Sequence, residues 1–221
     1  MASVALKYCF FIQPLGRRGL QEYMQSELFA DAEAAASIEG LQYQPDFLNG
    51  DEEAHLLDIV CSLPLQAARY KAYVARRRVV SFGGSFDYDD NILRPGDPLD
   101  ERLVPLRQRV AAWLGVPPQW LVHALVAEYA PGTPLGWHRD VPDFETIAGI
   151  SLGGEATLRF RPYPPTHPAT RKVLDLPVLP RSIYKMAGAA RWNWQHCVPP
   201  VKAPRWSITF RTPRWAASQP A

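Results

Sequence analysis

The chain has 221 residues, 47% of them apolar and 21% charged, with a formal net charge of +2. That length suits one domain with an extension and is ample for a buried core, while the near-neutral balance excludes an overall basic field, so any nucleic-acid contact must come from local clusters. No apolar run approaches the ~20 residues that a membrane-spanning helix needs, and the 22 prolines spread along the chain favour short strands and turns over long helices.

In chain order, the stretch from Val4 to Leu15 is apolar but broken by Lys7, Gln13 and Pro14. Arg17 and Arg18 follow it rather than precede it, the reverse of a secretory leader. Residues 1–38 are read as an N-terminal extension with one short helix around 21–36. Residues 41–48 read as a strand ending at the turn signal Asn49-Gly50. A helix is expected from Asp51, with Glu52 and Glu53 in its first turn and Leu56, Leu57, Val60 and Leu63 as its apolar stripe. Next comes Arg76-Arg77-Arg78 running into a strand, then Gly83-Gly84, then Phe86 and Tyr88 on one strand face. Guanidinium for phosphate beside rings for bases suits a nucleic-acid surface; the alternative is a solvated charge run beside core aromatics. Leu103, Leu106, Val110, Trp113 and Leu114 follow helical spacing and predict an amphipathic helix over 101–114.

From Trp120 the pattern changes to short apolar runs separated by Pro and Gly. It predicts strands at 121–129, 136–139, 146–152, 155–161, 172–174, 181–186, 194–198 and 204–211. A helical preamble followed by seven or eight strands gives a mainly β (α+β) chain. Its expected core is a double-stranded β-helix, or jelly roll, with N-terminal helices packed on one sheet. The expected division is 1–38 extension, 39–118 recognition segments and helices, 119–215 β core, and 216–221 tail. Cys9, Cys61 and Cys197 form no C-x-x-C pair, and their odd, widely spaced count points to buried thiols in a reducing, cytoplasmic setting.

Three pieces of this chain carry chemistry. His138-Arg139-Asp140 puts an imidazole and a carboxylate one residue apart, on the same face if the backbone is extended. By itself that spacing is common by chance and equally describes a surface His beside a solvated Asp. Arg205-Trp206-Ser207-Ile208-Thr209-Phe210-Arg211 alternates strictly, with two arginines and two hydroxyls on one face and an apolar triplet on the other. Paired guanidiniums can clamp a dicarboxylic acid. His196 follows His138 by 58 residues, enough chain to cross a sheet and return, and two imidazoles with one carboxylate form the facial triad of non-haem Fe(II) oxygenases. His123 and His167 lack a partner at useful spacing and read as surface or hydrogen-bonded histidines.

Taken together, Tyr129-Ala-Pro-Gly132, His138-x-Asp140, His196 and Arg205-x-Ser-x-Thr-x-Arg211 resemble, in order and spacing, the AlkB family of Fe(II)- and 2-oxoglutarate-dependent dioxygenases. Phe82-Gly83-x-x-Phe86-x-Tyr88 is similar to that family's nucleotide-recognition segment, and the likeness spans roughly residues 40–214. The resemblance implies that His138, Asp140 and His196 bind Fe(II). It implies that Arg205 pairs with the distal carboxylate of 2-oxoglutarate beside the Tyr129 hydroxyl, with a weaker contact from Ser207, and that Arg211 sits near the C1 carboxylate. Arg76, Arg77, Arg78, Phe86 and Tyr88 would then meet the substrate.

The activity it implies is oxidative demethylation of alkylated bases in DNA or RNA with Fe(II), 2-oxoglutarate and O2, releasing formaldehyde, succinate and CO2, by a cytoplasmic monomer without a membrane partner. The alternatives are the same chemistry on a protein or small molecule, a tRNA-modifying hydroxylase, or a binding module with an inactive metal site. Three departures from the family pattern bear on substrate identity: Ala127 and Ser207 stand where Asn is frequent, and Pro142 stands where the best-known bacterial members carry an acidic residue.

Overall fold

The computed structural model describes residues 37–70, 73–87, 90, 92–164 and 173–214. The helix expected around 21–36, Tyr88 and His167 lie outside these residues. Among the described residues the strands are β1 (Leu41–Gln44), β2 (Gln66–Tyr70), β3 (Tyr73–Phe82), β4 (Ser85–Asp87), β5 (Ile92–Arg94), β6 (His123–Tyr129) and β7 (Leu135–His138). They continue with β8 (Phe144–Gly153), β9 (Ala156–Pro162), β10 (Leu174–Val178), β11 (Ile183–Met186), β12 (Trp194–Val198) and β13 (Arg205–Pro213). The α-helices are α1 (Gly50–Ser62), α2 (Val104–Leu114) and α3 (Gly188–Trp192). None is long and apolar enough to cross a membrane.

Seven strands in the order β1-β11-β8-β13-β6-β3-β2 form one antiparallel sheet, four in the order β10-β9-β12-β7 form a second, and β4–β5 make a separate hairpin. Two-residue periodicity gives the large sheet two faces with different tasks. On one, Val126, Ile150, Ile208 and Phe210 pack with Leu56, Ile59 and Val60 of α1 and Leu106, Val110 and Ala111 of α2. On the other, Ala127, Tyr129, Ile147 and Met186 meet Leu158, Phe160, Leu176 and Val198 of the small sheet. The result is the expected mainly β jelly roll with helices on one sheet. The space between the two sheets is where the arginine-bearing face of β13 points.

Local chemistry explains where the elements differ from expectation. Asn49 is not a turn residue but the N-cap of α1: its side chain accepts from Glu52 N at 2.9 Å, and Asn49 N donates to the Glu52 carboxylate at 2.8 Å. The helix expected over 101–114 divides, because Pro105 is tolerated only in a first turn; residues Glu101–Leu103 tighten into a 3-10 turn and α2 starts at Val104. Strand β10 extends beyond 172–174 to Val178 despite Pro177, which the small sheet's edge permits. Cys197 is buried as expected but Cys61 is exposed, so the expectation of buried thiols holds for only one of these two. Strand β2 and helix α3 had no clear signal, being short and without a full period.

Candidate active site

Strands β7 and β12 pair with His196 opposite His138, which puts the two imidazoles side by side with ring centroids 4.2 Å apart. Strand β7 ends at His138, so Asp140 is reached by the loop that follows rather than by a continued strand. The loop still returns the carboxylate: one donor atom from each of His138, Asp140 and His196 lies within 4.8 Å of the others. His196 Nε2 is 3.6 Å from Asp140 Oδ2. His138 Nδ1 faces the Gly136 carbonyl at 2.9 Å, which orients its Nε2 inward.

The protonation states suit a cation. Burial, reinforced by the neighbouring His138, pushes His196 down to about 3. Burial likewise lowers His138, so both rings are neutral near pH 7 and offer lone pairs. Asp140 goes the other way: burial opposes its charge, but the guanidinium of Arg211 and the flanking His196 outweigh it and hold the carboxylate well below its usual range. Two neutral imidazoles and one ionised carboxylate make the donor set of a ferrous facial site.

A second layer, which sequence spacing did not reveal, positions these groups. Arg211 donates to Asp140 Oδ1 from Nε at 2.8 Å and from Nη2 at 2.6 Å, leaving Oδ2 toward His196. Its Nη1 is 3.1 Å from His123 Nδ1. Burial pushes His123 down to about 3, with Arg211 adding to the effect and a bond to the Gly84 backbone opposing it. The neutral ring therefore accepts from Arg211, and His123 is a buried partner rather than a surface residue. Arg191 of α3 is 3% exposed and clasps three carbonyls of the Asp140 loop, those of Asp140 (3.1 Å), Val141 (2.7 Å) and Phe144 (3.2 Å).

The neutral burial of His123, His138 and His196 makes the metal-free protein acid-sensitive. All three are lowered on folding, so the stability they carry is complete above the unfolded value near 6.5 and is lost as pH drops below it, toward about 3 for His123 and His196. Each titrating ring contributes a slope of up to about 1.4 kcal/mol per pH unit. Asp140 joins the loss only at the acid end of that window, below about 3.8, because its value is depressed on folding. Urea unfolding of metal-free protein at a series of pH values is expected to give a steep fall below 6.5 and a shallower one for His123→Phe; identical slopes would contradict the burial of a neutral His123.

Along β13, Arg205, Ser207, Thr209 and Arg211 are all buried on the face toward the small sheet. Arg205 is 2% exposed; its Nε donates to Ser151 Oγ at 3.0 Å, and its guanidinium carbon lies 5.2 Å from the centre of the Tyr129 ring. No carboxylate pairs with it among the described residues. A buried cation without a counter-ion is costly, and a carboxylate ligand would relieve it. Tyr129 arrives opposite Arg205 through the β6–β13 register, and the Ala130-Pro131-Gly132 turn after it, with Gly132 at φ +81°, reverses the chain toward β7.

Beside the triad lies a cavity of about 410 Å³ lined by Phe86, Trp137, Tyr163 and Trp192 rings together with Arg139 and Gln195. The Arg139 guanidinium stacks on Tyr163 at 3.8 Å and that of Arg161 on Trp137 at 4.4 Å. Of the five residues expected at the substrate, Phe86 lines this cavity and Tyr88 lies outside the described residues. The three arginines do not form one patch. Arg76 and Arg78 point to the helix side, Arg78 in an ion pair with Glu128, whereas Arg77 shares the cleft-side parity of Val79 and has a buried Nε without a partner. Arg159 is paired with Asp175 at 3.1 Å, whereas Arg161 donates from Nε to the neutral Gln195 at 2.9 Å. Trp192 reaches the cavity from α3, with its indole N–H on Glu145 at 3.0 Å.

The model of the 2OG-Fe(II) oxygenase superfamily matches residues 40–214. The alkylated DNA repair protein ALKBH8 homolog of Arabidopsis thaliana is 30% identical over 187 residues, covering 74% of this chain and 51% of that protein. The chain spans about half the length of the curated relatives it matches. Among solved structures, OsALKBH1 superposes with a TM-score of 0.60 at 15% identity, over 78% of this chain and 96% of that one. A prolyl-4-hydroxylase of Pseudomonas putida gives 0.53 at 18% identity, over 85% of this chain and 98% of that one. At such identities these two likenesses speak for the fold alone.

Proposed function

The chain belongs to the 2OG-Fe(II) oxygenase superfamily and uses Fe(II), 2-oxoglutarate and O2, and from that premise we propose that it is an AlkB-like enzyme that oxidatively demethylates alkylated nucleobases in DNA or RNA. The observation that carries the proposal is the ring- and arginine-lined cavity of about 410 Å³ that ends on His138 and Asp140. Its volume is that of a small-ligand site, and its walls offer stacking faces of the kind used to hold an unstacked base.

In this reading His138, Asp140 and His196 would hold the iron, and Arg205 would pair with the distal carboxylate of 2-oxoglutarate beside Tyr129 and Ser207. When bound, iron, 2-oxoglutarate and O2 supply the insertion of one oxygen atom into a C–H bond, with 2-oxoglutarate losing CO2 to become succinate. On an N-methyl group the product, N–CH2OH, loses formaldehyde and leaves the N–H base. The chain's own work is positional. Arg211 and Arg191 fix Asp140 and its loop, and the cavity wall would hold the target carbon near the metal. Arg77, on the cleft-side face of β3, would be the one of the three arginines to meet substrate phosphate.

The alkylated-DNA-repair name of the Arabidopsis relative supports a nucleic-acid substrate. Succinate and formaldehyde release measured over methylated single-stranded and duplex DNA and RNA oligomers is expected to be stimulated by at least one of them. Turnover stimulated only by nucleic-acid-free extract would contradict a nucleic-acid substrate and favour a protein or small-molecule hydroxylase.

A further inference from the structure

Tyr184 is a buried phenol to which no role has been given above. It stands on β11 opposite Gly149 of β8, and Gly149 in turn pairs with Thr209 of β13. The tyrosine is therefore on the sheet face that carries Arg205, Ser207, Thr209 and Arg211. Its ring lies across Gly149: a Cβ at that glycine would sit 2.3 Å from Tyr184 Cζ and 2.4 Å from its hydroxyl oxygen. Glycine in a central strand weakens the strand and marks a close approach, and here the approaching group is the tip of this ring. The phenol is thereby carried across β8 toward β13 instead of standing over its own strand.

The side chain is 6% exposed, and its hydroxyl makes no hydrogen bond among the described residues. Burial pushes the phenol up to about 12, opposed by the nearby Arg205 guanidinium and followed in influence by Asp140, Tyr129 and Arg211. It is thus a protonated donor without an acceptor, set among the groups that line the span from Arg205 to the metal ligands. The hydroxyl itself is not sealed off, so a ligand in the cleft can accept from it and gain a contact that the protein does not supply.

We infer that the Tyr184 hydroxyl is a further hydrogen-bond donor to 2-oxoglutarate, contacting the distal carboxylate that Arg205 pairs with, and that residue 149 is glycine to give the ring its path. The inference rests on the cosubstrate reading above. Tyr184 is a specificity-determining residue for dicarboxylic over monocarboxylic oxo acids, because its partner is the second carboxylate.

The test uses the full chain loaded with Mn(II) as a redox-inert ion, titrated calorimetrically with 2-oxoglutarate and with 2-oxopentanoate, which lacks the distal carboxylate. Tyr184→Phe is expected to weaken 2-oxoglutarate about tenfold or more, to leave 2-oxopentanoate within about twofold, and to leave the urea midpoint of the ligand-free protein unchanged or higher. An unchanged 2-oxoglutarate affinity overturns the inference while the cosubstrate site stands. Equal losses for both acids overturn it too, since they report a distorted pocket rather than a lost contact. Failure of the wild-type chain to bind 2-oxoglutarate would instead overturn the cosubstrate reading, and this inference with it.

Discussion

Replacing Asp140 with alanine is expected to abolish metal binding and also to lower the stability of the metal-free protein, by about 3–5 kcal/mol. The two losses have separate causes. The first is the removal of the only carboxylate in the set with His138 and His196. The second is Arg211, whose Nε and Nη2 both rest on Asp140 Oδ1 and whose buried charge would be left without its counter-ion. His196→Ala should share the first loss and not the second, because it removes a neutral ring and strands no charge. Manganese titration paired with urea unfolding separates the outcomes. Equal stabilities for the Asp140→Ala and wild-type proteins would mean that Arg211 does not depend on this pair.

Arg205→Met is expected to produce the opposite combination. Loss of a guanidinium–carboxylate contact should weaken 2-oxoglutarate binding about a hundredfold or more, with metal affinity unchanged, because Arg205 bonds Ser151 and none of the three metal-ligand candidates. Yet the ligand-free protein should become more stable, by about 1 kcal/mol or more, because a buried cation with no anion among the described residues is replaced by an apolar side chain of similar length. The comparison is made by thermal unfolding with and without 2-oxoglutarate. Saturating ligand should raise the wild-type midpoint by mass action and leave that of Arg205→Met where it was. A variant that loses stability in the absence of ligand would show that Arg205 is satisfied by the protein itself and is not waiting for an acid.

The contrast between these two arginines bears on how far such a site can be read from residues alone. The alternation over 205–211 correctly placed Arg205 and Arg211 on one face, because a two-residue period is a property of the strand itself. It could not distinguish the two, because that depends on the strands alongside. Arg211 faces His123 through the β6 register and Asp140 through the loop after β7. His123, with no nearby motif partner, gave no signal for the same reason. Arg191 was out of reach because α3 is too short to show a helical period, and its three carbonyl partners lie about fifty residues earlier.

Two features could have been found from sequence. Strand parity separates Arg77 from Arg76 and Arg78, as the structure has them. A glycine within the apolar run 146–152 marks a close approach, which is where Tyr184 proves to lie.

The convergence of His138, Asp140 and His196 on one ion is the claim on which the rest depends. It is tested most directly by anaerobic titration of the full chain with Fe(II) in the presence of 2-oxoglutarate, following the weak visible charge-transfer absorption of a 2-oxo acid chelated to ferrous iron. The expected result is one iron per chain and a band that is lost in His138→Ala and in His196→Ala. A band that survives in either variant would contradict the site described here.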